Sequence, residues 1–541
     1  MSTVGEAVVS CLEKLQVAAA FGVVSIHNMP ILDAIHRRGT IRFVPARGEA
    51  GAASMADAYA RVSGGLGVVI TSTGTAAGNA SGALIEARTA GSPLLHITGQ
   101  IDSPYLDRDL GFLHEARDQL GMLKAVSKAA FRVQSSEELF DVLGWAAKAA
   151  LTPPAGPVSI EIPIDLQLAE APQCGFEIPA TAVPSASVEA LAEALRTATR
   201  PLLWLGGGAR HAGAAARRLL DLGFGLVTSV QGRGIVPEDH PMTLGAFTAA
   251  SPVEVFYGTC DALLVVGSRL RSNETLGYRL KLPQPLYRID AEETRAEHPY
   301  KARLFITGDA RLVLESLATR LSGLKVDARF AQDLQAARQA AQAQARAALG
   351  PYEALVDALQ HLAGRDFIWV RDVTISNSTW GNRLLRIHGP RDGVHALGGG
   401  IGLGLPMAIG ASLASPGKKT LCLVGDGGLQ LSLGELATLV QEKAEVLVVL
   451  MNDRGYGVIR NIWDVQYGAR RAYCDLHTPD FALLAQSIGL DYYCVRDRSQ
   501  FQSILRDAFA QRGPVLVEVD MIAVGPYASA FAGPPVRQVE A

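Results

Sequence analysis

Short runs that are apolar on both faces punctuate the chain at Gly67–Thr71, Leu94–Thr98, Val158–Ile162, Pro201–Leu205, Ala262–Val266, Thr420–Val424 and Val446–Met451. Such a run has no side to offer to water, which is the pattern of a strand buried within a parallel sheet. Longer helical patterns lie between the runs. The architecture they predict is α/β: three open parallel-sheet α/β domains in series, with ligands at the carboxyl ends of strands. Two stretches break the alternation. Ala171–Ser187 turns to Pro, Ser and short polar residues, a surface connector. Ala328–Leu349 is rich in Ala, Gln and Arg and poor in large apolar side chains, which predicts a solvent-washed connecting helix. The breaks divide the chain into residues 1–170, 187–327 and 350–541, each of ordinary domain size.

Composition narrows the class. Over 541 residues, 48% hydrophobic and 19% charged content excludes intrinsic disorder. Fifty Lys and Arg against 53 Asp and Glu leave a net charge of −3, so nothing points to a nucleic-acid or membrane-surface partner. The cysteines (Cys11, Cys174, Cys260, Cys422, Cys474, Cys494) are scattered, as reduced thiols of a cytoplasmic protein would be. Glu6 and Glu13 stand where a signal peptide would be basic and then apolar. Leu397–Ala414 is uncharged and nearly of membrane length. It is nevertheless crowded with Gly398, Gly399, Gly400, Gly402, Gly404 and Pro406, too much backbone freedom for a spanning helix.

The sharpest chemistry lies in the last domain. The strand Thr420–Val424 runs into Gly425-Asp426-Gly427-Gly428 before a helical pattern, and the strand Val446–Met451 ends in Asn452-Asp453-Arg454-Gly455-Tyr456-Gly457. A carboxylate just past one strand and a polar pair just past its neighbour can converge on one cation. The glycines let backbone N–H groups approach phosphate oxygens. Magnesium suits such a place, because it takes one or two carboxylates and completes its octahedron with phosphate oxygens and water. Alone, Gly-Asp-Gly is common in ordinary turns; the strand–turn–helix setting and the second turn give it meaning.

With that setting, the chain resembles the thiamine-diphosphate-dependent enzymes over nearly its whole length. Their signature is Gly-Asp-Gly followed by an Asn-Asn pair. The resemblance implies that Asp426, Asp453 and the Gly455 carbonyl bind Mg²⁺, with Asp453 standing where Asn is usual. It implies that Gly398–Pro406 wraps the aminopyrimidine, with Gly399 and Gly400 in contact and Ile401 propping the cofactor into a bent shape. Asp372–Asn377, containing Thr374 and Ile375, resembles the family's other diphosphate-facing turn, and Gly425, Gly427, Gly428 and Tyr456 belong to the same cradle.

In the first domain Glu49 is a lone carboxylate among small residues (Arg47-Gly48-Glu49-Ala50-Gly51-Ala52-Ala53) before a helix. A first-turn acid that complements the helix dipole is the ordinary reading. The resemblance implies a catalytic one: a buried carboxyl that shares a proton with the pyrimidine and so promotes loss of the thiazolium C2 proton. Bound thiamine diphosphate then accepts the electron pair released when a bond beside a carbonyl breaks.

The subclass is read from fewer residues. Phe21–His27 matches the spacing of benzaldehyde lyase, with His27 in the active site, and Leu113–Gln119 ends in Asp-Gln as the lyase does; a solvated loop His is the plain alternative. Gln119 is a further catalytic candidate. The middle domain opens with Gly206-Gly207-Gly208-Ala209-Arg210-His211, half of a dinucleotide fingerprint, and lacks the stretches associated with flavin in acetolactate synthases. FAD is therefore not expected. The implied activity is a 2-oxo acid decarboxylase or acyloin carboligase/lyase, a lyase or transferase. The alternatives are an acetolactate synthase without FAD and a non-catalytic subunit on the same fold. Substrates are small 2-oxo acids, aldehydes or acyloins. The family assembles as homodimers or homotetramers with each active site shared between subunits.

Overall fold

The computed structural model describes residues 2–172, 175–177, 187–292, 298–529 and 531. Cys174 and most of the connector expected at Ala171–Ser187 lie outside the described residues. The chain builds three open sheets, and every strand pairing in them is parallel.

The first sheet holds β1 (Ala19–Gly22), β2 (Arg42–Pro45), β3 (Gly67–Thr71), β4 (Leu94–Gln100), β5 (Ala129–Arg132) and β6 (Pro157–Pro163), in the order β2-β1-β3-β4-β6-β5. The second holds β7 (Pro201–Leu205), β8 (Gly225–Thr228), β9 (Ala262–Val266), β10 (Leu286–Asp290) and β11 (Leu304–Thr307), ordered β11-β10-β9-β7-β8. The third holds β12 (Phe367–Arg371), β13 (Gly393–His395), β14 (Lys419–Gly425), β15 (Val446–Asn452), β16 (Asp491–Val495) and β17 (Val515–Asp520), ordered β13-β12-β14-β15-β17-β16. In each, the chain winds outward in both directions from a point where strand order reverses: β1/β3, β7/β9 and β12/β14. The crossovers leave a crevice at the carboxyl ends of such a strand pair, where open α/β sheets take their ligands. All seven fully apolar runs are strands of these sheets.

The first and third domains share one core. The helix Glu49–Ser63 lies against the helix Gly404–Ala414, and Ala52, Met55 and Ala56 join Leu405, Ala408 and Ala411 in a single buried cluster. Small residues on both helices allow this close crossing. A Cβ at Gly410 would lie 2.0 Å from the Met55 carbonyl oxygen, so only glycine fits there. The uncharged stretch Leu397–Ala414 is thus an exposed glycine loop followed by a buried helix of the core. Among the described residues no helix is long and apolar enough to cross a membrane.

The connecting helix departs from expectation. It runs Phe330–Ala347, but Phe330, Leu334, Ala337 and Ala341 form a buried stripe against the middle domain's Trp204, Phe256 and Leu263. The stripe is narrow and half of it is alanine, so composition gives it no prominence. Packing of Phe330 and Leu334 ties the helix down, together with hydrogen bonds from Arg338 to the Glu238 and His240 carbonyls.

Candidate active site

At the β12/β14 crevice, β14 ends directly in Gly425, and Asp426 opens the following helix. The neighbouring β15 delivers Asp453 beside it, so that the Asp453 N–H donates to Asp426 Oδ1 at 3.3 Å. Asp426 Oδ2 is buried without a hydrogen-bond partner. Burial raises both carboxyls above their ordinary range, and their mutual repulsion raises Asp426 further. Arg460 offsets part of this, its guanidinium 3.4 Å from Asp453 Oδ2. The orphaned oxygen of buried Asp426, beside half-buried Asp453, could hold a cation. Among the described residues no third His, Cys, Asp or Glu joins them. Such a donor set suits Mg²⁺ completed by phosphate and a backbone carbonyl, and leaves no basis for a zinc-like site.

Thr374, Ile375, Gly425, Gly427, Gly455 and Tyr456 of the predicted cofactor residues lie around these two turns. Thr374 packs toward Gly425, where a Cβ would lie 3.4 Å from its methyl group. A Cβ at Gly427 would meet the Tyr456 ring at 2.7 Å, and one at Gly457 would meet Asp453 Oδ2 at 2.1 Å. At Gly455 it would lie 2.2 Å from the Cys474 carbonyl. Arg454, in the left-handed region at φ 57°, makes the sharp turn that brings Gly455 round. A cavity of about 320 Å³ opens here, lined by Ile375, Asp453, Gly457, Arg460, Asn461 and Tyr527. Asp372, just past β12, is buried and pushed up to about 6 by desolvation; its Oδ2 accepts the Gly402 N–H at 2.9 Å, drawing the Gly398–Gly402 loop toward the same crevice.

The second group gathers at the β1/β3 crevice of the first domain. Ser25 and Ser72 hydrogen-bond across it at 2.7 Å. His27 is buried, with Nδ1 unpartnered, and stands edge-on to His114 at 5.4 Å between ring centroids. Burial, then the neighbouring His114, lowers its pKa against the opposing pull of Asp102, so the neutral imidazole prevails at neutral pH. The turn after β3 must be glycine at position 74: its φ is 60° and a Cβ would lie 2.0 Å from the His114 carbonyl. Gln119 holds that turn. Its Oε1 accepts from Thr73 Oγ1 at 2.9 Å and Gly74 N at 2.5 Å, and its Nε2 donates to Gly99 O at 3.2 Å.

Glu49 begins the helix Glu49–Ser63 and accepts from Asn79 Nδ2 at 3.1 Å. The catalytic reading calls for a buried carboxyl; within one chain Glu49 is only half-buried. Among the described residues, no hydrogen bond joins Glu49, His27 or Gln119 to Asp426 or Asp453. Gly398, Gly399 and Gly400 are likewise exposed, and Ile401 is half-buried. A different cavity, about 460 Å³, sits at the β7/β9 crevice against Gly206, Gly207, Gly208, Arg210 and Gly267. Sequence reasoning missed Glu86, Asp372 as a loop anchor, Glu435 and Arg460. Glu435 accepts the Arg47 N–H at 3.1 Å and so braces the turn that carries Glu49. Isolated acids or bases within helices or turns give no local signal of such contacts.

Sequence comparisons place these three parallel-sheet domains in a known family. The chain matches the models of the thiamine pyrophosphate enzymes domain by domain: the N-terminal TPP binding domain over residues 2–122, the central domain over 188–317, and the C-terminal TPP binding domain over 374–519. It is 33% identical over 531 residues, 96% of this chain and 94% of the relative, to a probable 2-ketoarginine decarboxylase of Pseudomonas aeruginosa. It is 28% identical over 525 residues to the acetolactate synthase isozyme 2 large subunit of Escherichia coli, covering 95% of this chain and 94% of that one. A probable acetolactate synthase large subunit of Methanocaldococcus jannaschii is 27% identical over 542 residues, 95% and 91% of the two chains. The chain belongs to the thiamine pyrophosphate enzymes. It is a thiamine-diphosphate-dependent decarboxylase or carboligase, making or cleaving C–C bonds beside a carbonyl.

Proposed function

We propose that this enzyme is a Mg²⁺-dependent decarboxylase of a small 2-oxo acid. The observation that carries the metal is the pair of buried Asp426 and half-buried Asp453, with Asp426 Oδ2 unpartnered. The two carboxylates and the Gly455 carbonyl hold Mg²⁺. Thr374, Ile375, Gly425, Gly427, Gly428 and Tyr456 line the diphosphate, and Gly399, Gly400 and Ile401 form the pyrimidine seat. Thiamine diphosphate, when bound, supplies the acceptor for the electron pair of the broken bond. Glu49 shares a proton with the pyrimidine ring nitrogen. His27, neutral and desolvated, gives a proton to the substrate oxygen and takes it back at release; Gln119 acts by holding the Thr73–Gly74 turn against it. Decarboxylation is favoured over acetolactate synthesis by the higher identity to the decarboxylase and by His27 in the crevice. Acyloin carboligation or lysis uses the same groups.

The active site is proposed to be completed between subunits of a homodimer or a homotetramer, Glu49 of one facing Asp426 of another. Half-exposed Glu49 and the exposed apolar side chains Ile26 and Leu113 in one domain, and Leu431, Val465 and Tyr473 in another, support this. The domain limits 1–170, 187–327 and 350–541 and a cytoplasmic location belong to the same proposal. Incubating the holoenzyme with a panel of 2-oxo acids and aldehydes, and identifying products by mass, tests the reaction. Release of CO₂ with the matching aldehyde is the expected result, and acetolactate from pyruvate as the sole product would overturn it. Glu49→Gln tests the catalytic core: cofactor binding should persist while C2 proton exchange falls by roughly 10²–10⁴-fold, and native exchange would remove Glu49 from its role.

A further inference from the structure

The glycine loop beginning at Leu397 is gripped by all three domains. Its far end is tied to Asp372 through Gly402 N. At its near end Glu86, in the first-domain helix Ser81–Ala90, accepts from Leu397 N with one oxygen and from Gly398 N with the other, each at 2.6 Å. From the opposite side Arg271 of the middle domain donates to Leu397 O. Glu86 is 3% exposed and ends a buried row in which Arg61 donates both to Asp57 and, at 3.0 Å, to Glu86. Arg61 is shared between the two carboxylates, and the peptide N–H groups of Leu397 and Gly398 are the further donors that Glu86 faces.

We propose that Glu86 is a positioning residue for thiamine diphosphate: it fixes the start of the loop so that Gly399, Gly400 and Ile401 are presented to the cofactor. The inference rests on the pyrimidine seat assigned above. Gly399 and Gly402 both adopt positive φ, 85° and 83°, and a run with so little side chain cannot fix its own shape. Anchoring both ends removes that ordering cost before the cofactor arrives. Without Glu86 the cost falls on binding, while the chemistry of a bound cofactor is untouched.

Two variants release the anchor by different routes. Glu86→Gln keeps the shape but turns an amide N–H toward one of the two peptide donors. Gly398→Ala leaves Glu86 in place but sets a methyl 2.8 Å from Glu86 Oε2, pushing the carboxylate away; this loop position is exposed, so the variant folds even where Glu86→Gln does not. Titrating apoprotein with thiamine diphosphate and Mg²⁺ by calorimetry should show Kd raised roughly 10- to 100-fold in each. The effect falls on the Kd and KM for cofactor and not on kcat at saturating cofactor. A folded variant whose Kd lies near the native value, or one that loses kcat with Kd unchanged, overturns the proposal. Ile401→Ala, measured in parallel, separates the two levels. Unchanged affinity in Ile401→Ala would fault the pyrimidine seat itself. Weakened affinity there with native affinity in Glu86→Gln and Gly398→Ala would fault only the anchor.

Discussion

Replacing Asp426 by Asn should move the apoprotein and the holoenzyme in opposite directions. In the apoprotein buried Asp426 and half-buried Asp453 are two neighbouring acids, with Asp426 Oδ2 unpartnered and a single guanidinium in partial compensation. Two unit charges about 4 Å apart repel by about 4 kcal/mol at an effective dielectric of about 20. With Arg460 3.4 Å from Asp453 and burial opposing ionisation, we expect about 1–3 kcal/mol of relief in Asp426→Asn. The sign with pH follows from the raised carboxyl pKa. An acid that binds its proton more tightly folded than unfolded favours the fold at low pH, and that contribution is lost as pH rises through the folded pKa. The variant's advantage should therefore be absent near pH 4 and grow toward pH 8. The cation site, however, loses one of its two carboxylates, and a 100-fold rise in Kd would remove about 2.7 kcal/mol of cofactor-dependent stabilisation. Thermal unfolding from pH 5 to 8, in chelator and then with Mg²⁺ and thiamine diphosphate, reads both effects. An apoprotein no more stable than native at pH 8, or native stabilisation by the cofactor, would refute the acid-pair argument.

Three other outcomes are expected. Asp453→Asn retains an oxygen ligand and removes one of the two like charges, so Mg²⁺-dependent cofactor binding should persist in calorimetry while the apoprotein gains thermal stability. His27→Ala should lower kcat by roughly 10²-fold with cofactor Kd unchanged and should flatten one limb of the pH–rate profile; a native profile would show His27 to be only a buried loop residue. Gly410→Ala sets a methyl against the Met55 carbonyl, 2.0 Å away. It should cost about 1–3 kcal/mol or more in the apoprotein, seen as a lower unfolding temperature.

How much of this was legible beforehand depends on how local the physics is. A strand covered on both faces must be apolar at every position, so β3, β7 and β9 are visible as continuous runs without any knowledge of their neighbours. β2 and β13 lie at sheet edges, are short and carry exposed or half-exposed residues, and nothing in their composition marks them. The acid pair was legible for a similar reason. Gly425-Asp426-Gly427 and Asn452-Asp453 each follow a recognisable strand, and adjacent parallel strands deliver their carboxyl ends to one place. Glu86 was not legible. Its partners at Leu397 and Gly398 lie 311 and 312 residues away, and on its own helix it is one acid near Arg88 among mostly small and apolar residues. The crossing of the helices Glu49–Ser63 and Gly404–Ala414 seats the first domain on the third, and only that packing decides which backbone donors a buried carboxylate meets. The same holds for Glu49. The sequence by itself marks its residue type and its place at a helix start. Its exposure within one chain is a property of the tertiary structure, because burial is decided by what other surfaces cover a side chain, and no local pattern contains them.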